Sequence, residues 1–539
     1  MLVLLTSAGI GSRLKPYTDY INKGLLPFKN KPALLNIINN YPKNTKFILC
    51  VGYLQESILD FIKIADLNHR VKIIKIDNFD EKNGSLTYTL KKAMKNINEP
   101  FIFHSNDSMT ERILIKNCKK NLIFINNKSV KNQIYRKVSI SDRYNINKFY
   151  SKSYQNQNLK LYDYIGITYI YEYDKFKKFI NNYNKKDGES GFIKKFSNTF
   201  KIYKIKKWVD IGNIKDFENN AYLNYNVLPK KDQHIYFFNN KVLKFFNDRK
   251  KIKNLKIKSK FFKKITPILI KHSNNFVGYN YINGEIFNKQ RKINLKKLLL
   301  FFKKEIWNKK TKIVNKKKFK EELNKFYFIK SINRIDEYIN NNKKFCDFLY
   351  INNIKVDNIK NIIKKINWKN LSNSIPTYMH GDLHFENILI SKNKIIALDI
   401  RNDFSKFKFL GDMYYDLSKI LHGIIVNHEI VNQNYFKYKK NNKSIKINIR
   451  VTKNFNNNLK IFYEYCKKEN YNIKKIEIIC ALIYLNIACL HHHPYSHFLF
   501  CLGNLMLHFN LNTNRTLLNY IYDISLIKNG KNDTKTMGK

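Results

Sequence analysis

Ala8-Gly9-Ile10-Gly11-Ser12-Arg13-Leu14 stands directly behind the apolar run Val3–Leu5, and Lys23-Gly24-Leu25-Leu26-Pro27 follows one loop later. The apolar run predicts a strand. The glycine turn behind it lets main-chain amides approach phosphate oxygens closely, because no Cβ intervenes. Ala8, Gly9 and Gly11 are therefore candidate nucleotide-binding positions. Arg13 can fork two phosphate oxygens, and Lys23 offers a second cation. Gly9 and Gly11 could also open a dinucleotide fingerprint, but its third glycine is absent.

Around that turn, residues 1–225 alternate short apolar runs with helical patterns. Strands are predicted at Val3–Leu5, Phe47–Val51, Val71–Ile76, Phe101–His104 and Tyr164–Ile170. Helices are predicted between them at Leu34–Asn40, Gln55–Ile64 and Leu86–Met94. This alternation predicts an α/β fold with a doubly wound, mixed or mostly parallel sheet, which binds nucleotides at the carboxyl ends of its strands. The polar turn Pro229-Lys230-Lys231-Asp232 predicts a break after residue 225. Beyond it, His234–Phe238 and Val242–Phe246 flank Asn239-Asn240, the pattern of a β-hairpin. From about residue 290 to Tyr378, and again from the Asp382 region to about Leu526, the chain reads as largely helical. The Asn/Lys-rich segments near 309–320 and 436–447 read as surface loops or solvated helix faces. The expectation for residues 232–526 is thus a second, α+β domain with a small β lobe and a large helical lobe, followed by a polar tail over 527–539.

The chain has 539 residues, and at roughly 100–200 residues per domain it exceeds a single core. Hydrophobic residues make up 44%, a globular rather than a disordered composition. The formal net charge of +59 invites a nucleic-acid reading. Lys is spread along the whole chain, however, and its companions Asn, Ile, Tyr and Phe share A/T-rich codons. A/T-rich base composition accounts for the bias, and no specific nucleic-acid partner is expected. The positive potential would still attract nucleotides and sugar phosphates. Seven scattered Cys without a CxxC pair fit reduced thiols in a cytoplasmic protein. The opening Met1-Leu2-Val3-Leu4-Leu5 is too short for a secretory signal. The apolar stretch Ile478–Leu490, interrupted by Asn486, is too short to span a bilayer and predicts a buried helix. His491-His492-His493-Pro494, with His497, reads as a helix terminus, since adjacent histidines cannot all face one ion.

A second stretch carries chemistry: Met379-His380-Gly381-Asp382-Leu383-His384-Phe385-Glu386-Asn387-Ile388-Leu389, with Asp399 after the apolar run Ile395–Leu398. Asp382 can accept a hydroxyl proton. Asn387 and Asp399 can hold Mg²⁺ on the phosphates of ATP.

Two resemblances follow from these motifs. Gly11-Ser12-Arg13-Leu14-Lys15-Pro16-Tyr17-Thr18, then Lys23, Leu25-Leu26-Pro27 and Lys31-Pro32, resembles the sugar-phosphate nucleotidylyltransferase superfamily over residues 1–225. The resemblance extends to Phe103-His104-Ser105-Asn106-Asp107 and Trp208-Val209-Asp210-Ile211-Gly212-Asn213. It implies that Asp107 and Asp210 chelate a catalytic Mg²⁺, and that Arg13 and Lys23 stabilise charge on the pyrophosphate and α-phosphate. It further implies that Asn83-Gly84-Ser85-Leu86 contacts the base, with Ser85 as the binding residue. The superfamily places Pro before the key Lys, where this sequence has Asn22.

The Asp382, Asn387 and Asp399 set resembles the aminoglycoside phosphotransferase and choline kinase family, a branch of the two-lobed protein-kinase-like fold. That resemblance implies Lys244 as a nucleotide-binding lysine, Tyr279–Glu285 as a hinge along the adenine, and Asp412 and Asp416 as braces. The family pairs its Lys with a helix Glu, yet Asp248 is the only acidic residue between Gln233 and Gly284, and the hairpin lacks a Gly-rich loop.

Together the resemblances imply a bifunctional cytoplasmic enzyme. One half would phosphorylate a small acceptor with ATP. The other would couple the phosphorylated product, phosphocholine-like or a sugar phosphate, to CTP or another NTP with release of pyrophosphate. Such activated conjugates feed cell-surface polysaccharide decoration. The missing helix Glu motivates a second reading, in which the kinase-like half is degenerate and regulatory. The net charge motivates a third, a basic nucleic-acid-binding protein. Mg²⁺ is the expected cofactor, and no membrane span is expected.

Overall fold

Every residue from Leu2 to Leu5 is apolar, so a strand here has two hydrophobic faces and requires cover on both. The computed structural model supplies it; it describes all residues except 80–83, 116, 128–134, 142–144, 153, 155–158, 223–229, 291, 312–313, 452–453, 492, 514 and 516–539. Asn83, His492 and the expected tail 527–539 lie outside the described residues. The chain forms two compact units, Met1–Lys253 with Leu269–Tyr281, and Asn254–Ile268 with Ile282–Lys539.

In the first unit, β1 (Leu2–Ser7) sends Val3 and Leu5 into a core with Phe47, Leu49 and Phe61. Leu2 and Leu4 enter a second core with Ile48, Cys50 and Leu90. The chain continues through α1 (Ala33–Asn39), β2 (Lys46–Val51), α2 (Gln55–Ile64), β3 (Val71–Lys75), α3 (Leu86–Met94) and β4 (Phe101–Ser105). Then follow β5 (Asn121–Asn126), β6 (Lys137–Ile140), β7 (Ile146–Tyr150), β8 (Leu161–Ile170) and β9 (Phe200–Ile205). The order across the sheet is β7-β6-β8-β4-β1-β2-β3, with β5 beside β8 and β9 beside β5. β1 pairs in parallel with both β2 and β4, whereas β8 runs antiparallel to β4. The mixed sheet and the three helices match the sequence expectation.

The hairpin forms as expected, with Gln233–Phe238 paired to Lys241–Phe246. Asn239 and Asn240 both adopt positive φ, 48° and 54°, as a two-residue turn matched to the strand twist requires. Leu269–His272 and Phe276–Asn280 complete a four-stranded antiparallel sheet. Its placement differs from the expected division at 225–232. Tyr236, Leu243, Phe245 and Phe276 are buried in the same core as Val3 and Phe61, and this sheet belongs to the first unit. The Phe61 ring lies 6.1 Å from Phe238 and 6.2 Å from Phe276. An antiparallel sheet must bury one face, but its own alternation does not say against what.

The second unit is built around Met413–Ile425, Ile473–Ala488 and Tyr495–His508, which are buried nearly all round. The apolar stretch predicted as a buried helix is therefore one. Strands also occur where helix or loop was expected. Phe436–Asn441 pairs with Ser444–Ile449, which corrects the reading of 436–447. Ile445, Ile447 and Ile449 alternate with more exposed residues, a period of two that the Lys/Asn content hid. Ile388–Ser391 and Lys394–Ala397 form a hairpin, which confirms the short strand expected before Asp399. Among the described residues, no helix is long and apolar enough to cross a membrane. His493 and His497 pack among aromatic side chains: His493 Nε2 lies 2.6 Å from Tyr438 Oη, and the His497 ring stacks on Phe345 at 3.7 Å.

Candidate functional site

In the first unit, β2 and β3 extend the sheet on one side of β1 and β4 on the other, so the chain reverses its winding between β1 and β4. A crevice opens at the carboxyl ends of strands that part in this way. Ala8 to Arg13 leave the end of β1 and Asp107 leaves the end of β4. A cleft of about 480 Å³ lies there. Ala8, Gly9, Gly11, Arg13, Lys23, Ser85, Asp107 and Asp210 all line it. Eight positions chosen from separated motifs thus converge on one space.

The two turn glycines answer different demands. Gly11 has φ 73°, and a Cβ on it would lie 3.1 Å from Thr18 Cγ2, so the fold itself requires glycine. A Cβ on Gly9 would meet nothing within 4 Å among the described residues. Gly9 is not demanded by packing, and the space beside it lets a ligand come close to the backbone.

Asn22 takes over the rigidity that a proline would supply before Lys23. It is buried, with φ −61°, a value proline also adopts. Its Nδ2 donates to the carbonyls of Ser7 (2.8 Å) and Tyr53 (2.6 Å), and its Oδ1 accepts from Gly24 N (3.0 Å) and Ser7 Oγ (2.5 Å). Asn106 Nδ2 donates to the same Ser7 hydroxyl at 2.8 Å. This buried network ties the loop of Lys23 to the ends of β1 and β4, and so to Asp107. A Cβ on Gly24 would lie 2.4 Å from Asn106 Nδ2 and 2.8 Å from Ser7 Oγ, so a larger residue there would push this network apart.

Asp107 Oδ2 lies 4.0 Å from both Arg13 Nη2 and Lys23 Nζ. Burial opposes its ionisation, but Lys23, a hydrogen bond from Ser105 Oγ and Arg13 hold its carboxyl below the usual range. Asp210 behaves oppositely. Burial and the nearby Asp107 raise its pKa, although Gly212 N donates to Oδ1 at 2.7 Å. The two carboxylates and Arg13 crowd one point: a Cβ on Gly212 would lie 2.9 Å from Asp210 Oδ1, 3.2 Å from Asp107 Oδ2 and 3.5 Å from Arg13 Nη2. Two hard oxygen donors that disfavour each other's charge suit a hard dication such as Mg²⁺.

Ser85 lines the cleft, but its hydroxyl caps α3 by accepting from Tyr88 N at 3.0 Å. The motif reading missed Tyr135, Arg136, Lys152 and Glu189, which line the same cleft. Burial and Arg136 lower the pKa of Lys152. Glu189 is buried and its Oε1 accepts from Tyr164 Oη at 3.1 Å, while Oε2 has no hydrogen-bond partner among the described residues. Burial raises its pKa. Tyr135 and Arg136 stand just before β6, Lys152 just after β7 and Glu189 at the start of a helix, and no local spacing marks them.

In the second unit, Asp382 and Asn387 are in direct contact. Asn387 Nδ2 donates to the Asp382 carbonyl (2.9 Å) and to its Oδ2 (3.2 Å). Asp399 is exposed, with φ 56°, two residues after the strand Lys394–Ala397, and Leu398 N donates to Asn387 O at 2.7 Å. Asp416 is fully buried and accepts from His380 N (2.9 Å), Gly381 N (2.7 Å) and Trp307 Nε1 (3.0 Å). It braces the loop, and burial raises its pKa to about 6. Asp412 caps Met413–Ile425 and accepts from Tyr327 Oη at 3.0 Å. Lys419 was missed: its Nζ sits 2.9 Å from Asp382 Oδ1. Asp412, Asp416 and Lys419 follow at i, i+4 and i+7, a helical spacing that puts Lys419 on the face of the two braces but does not name its partner. Burial works against ionised Asp382, but Lys419 and His384 hold its carboxyl well below the usual range. Lys244 lies in the first unit, buried on a strand of the four-stranded sheet, its Nζ 5.7 Å from the Tyr279 ring centroid. Burial and Lys230 push its pKa down to about 7.

No protein-family profile matches the chain. The Probable mannose-1-phosphate guanylyltransferase 1 of Oryza sativa subsp. japonica is 28% identical over 115 residues, 21% of this chain and 32% of the relative. The chain thus spans about a third of the length of this curated relative. Among solved structures, the CTP:phosphocholine cytidylyltransferase from Streptococcus pneumoniae aligns at 15% identity and TM-score 0.34, over 40% of this chain and 96% of that one. HddC from Yersinia pseudotuberculosis aligns at 21% identity and TM-score 0.32, over 41% of this chain and 97% of that one. The N-terminal region therefore resembles sugar-phosphate nucleotidylyltransferases.

Proposed function

We propose that the first unit transfers a nucleotidyl group from an NTP to a phosphorylated small molecule, a sugar phosphate or a phosphocholine-like compound, and releases pyrophosphate. The convergence of Arg13, Lys23, Asp107 and Asp210 on a glycine-turn cleft at a strand switch point carries this reading. The amides of the turn approach the triphosphate. Arg13 and Lys23 stand 4.0 Å from Asp107, a loose pairing that phosphate oxygens can replace. An oxygen of the acceptor's phosphate forms the new bond to the α-phosphorus as the bond to pyrophosphate breaks. The attacking group is already an anion, so no base is required. Arg13 and Lys23 stabilise the negative charge that moves onto the leaving group. Asp107 and Asp210 would hold Mg²⁺, which when bound supplies charge neutralisation for the phosphates. Arg136 and Lys152 add positive charge suited to a second phosphorylated substrate.

The second unit, in this reading, phosphorylates the acceptor with ATP: Asp382 takes the hydroxyl proton, and Asn387 and Asp399 would hold Mg²⁺. The contact of Asn387 with Asp382, on a loop braced by Asp416, supports it. The ion pair of Lys419 with Asp382 favours the alternative, a regulatory nucleotide-sensing role, because it occupies the base. A conjugate made by both steps would be an activated donor for surface polysaccharide decoration. Incubation of the full chain with Mg²⁺, each NTP in turn and a panel of sugar phosphates and phosphocholine tests the first unit. Pyrophosphate release with one pair names both substrates, and none across the panel overturns the proposal.

A further inference from the structure

The loop that carries Asp382 also holds His384 and Glu386, which phosphoryl transfer as proposed does not use. His384 Nδ1 lies 2.9 Å from Glu386 Oε2. The exposed His428, at the start of the helix His428–Asn432, meets them: its ring centroid is 5.6 Å from that of His384. One ligand atom from each of the three residues lies within 4.8 Å of the others. We propose that His384, Glu386 and His428 form a site for a borderline transition-metal dication, Zn²⁺ above all, with a fourth position open to water or substrate.

The donor set argues for that class of ion. Two imidazoles and one carboxylate suit Zn²⁺, whereas Mg²⁺ prefers all-oxygen shells. The geometry is close to the requirement. Bonds of about 2.0–2.2 Å in a tetrahedral shell place ligand atoms roughly 3.3 Å apart. The His384 to Glu386 gap of 2.9 Å has to open by a few tenths of an ångström, and none of the three gaps exceeds 4.8 Å, so any closure needed is within about 1.5 Å.

The surroundings supply the orienting shell that such sites use. His384 Nε2 faces Asp382 Oδ2 at 3.6 Å, so a metal on Nδ1 would leave the other ring N–H pointing at a carboxylate. Glu386 Oε1 accepts from His428 N (2.8 Å) and Asn288 Nδ2 (3.4 Å), which fixes that carboxylate and leaves Oε2 toward His384. Asp382 is in turn fixed by Lys419 at 2.9 Å. A Cβ on Gly423 would lie 3.4 Å from Phe385 N and 3.7 Å from His384 Cβ, so Met413–Ile425 packs closely behind the loop.

Metal titration of the full chain, prepared without an affinity tag and stripped with chelator, tests the site. Co²⁺ serves as the spectroscopic probe and Zn²⁺ as the competitor. One equivalent of Co²⁺ with the visible absorption of a four-coordinate site, displaced by one equivalent of Zn²⁺, is the expected result. His428→Ala and Glu386→Gln should each weaken Zn²⁺ by more than tenfold, the lower end of what even an indirect partner contributes. His493→Ala, in the separate histidine cluster, should bind as the wild type does. His428 is exposed, so His428→Ala reads binding rather than folding, and circular dichroism checks this. No stoichiometric binding by the wild type, unchanged affinity in His428→Ala, or loss in His493→Ala overturns the proposal.

Discussion

The cleft of the first unit and the Asp382 loop of the second are both lined with charge, but they hold it differently. In the cleft, Asp107 keeps Arg13 and Lys23 at 4.0 Å, and a buried Glu189 oxygen has no partner among the described residues. At Asp382, Lys419 and Asn387 are already within 2.9 and 3.2 Å. The cleft has charges left over for a ligand; the loop has balanced its own. Loosely held cations make a site that binds phosphate by loosening pairs of 4.0 Å, whereas a ligand at Asp382 has to compete with one of 2.9 Å.

That contrast can be broken most sharply at Asp382. Asp382→Asn should lower ATP-dependent phosphorylation of small alcohols by about 10²–10⁴, the usual worth of a positioned base, while pyrophosphate release stays unchanged. Equal phosphorylation by the variant would leave the loop a balanced structural feature. Next in size, Arg13→Ala and Lys23→Met should each slow pyrophosphate release by about 10²–10³. Arg13 is exposed, so its thermal midpoint should not move; rates equal to wild type would show that these cations serve no phosphate.

Asn22→Ala sharpens the comparison at the level of support. It strands the Ser7 and Tyr53 carbonyls and the Gly24 amide in a buried place, at a cost of about 2–4 kcal/mol. A denaturant midpoint shift near zero would mean that the network does not hold the Lys23 loop. The last test is one of pH dependence and concerns Lys244. Its pKa is about 7 when folded against an ordinary 10.5, so the unfolded chain binds the proton more readily. The wild type should gain stability as pH rises from about 7 to 10.5, lose it again as pH falls back to 7, and show no further contribution from this group below that. Lys244→Met should flatten that slope and raise the melting temperature at neutral pH; an unchanged slope would show that the amine is not the source.

Much of this was legible locally. A strand whose every residue is apolar, a glycine turn and alternating periods announced the sheet, and the elements fall within a few residues of their expected places. The hairpin was legible because Asn-Asn tolerates the left-handed backbone its turn requires. The strands of 436–449 were not, because Lys and Asn on the outward positions masked the alternating isoleucines. The packing partner of the 233–280 sheet was not legible either, since an apolar face carries no address. In the site, Arg13, Lys23, Asp107 and Asp210 sat in motifs that could be read one at a time. Arg136, Lys152 and Glu189 had no motif, and only strand order brings them to the cleft.

Backbone chemistry near in sequence was therefore written in the chain: where glycine must turn and which strand needs cover on both faces. Long-range meetings were not. Lys419 finds Asp382, and His428 finds His384 and Glu386, because helices pack where burial of their apolar faces puts them. That burial has no direction of its own, so which charges end up facing one another is settled by the assembled core and not by any one stretch of residues.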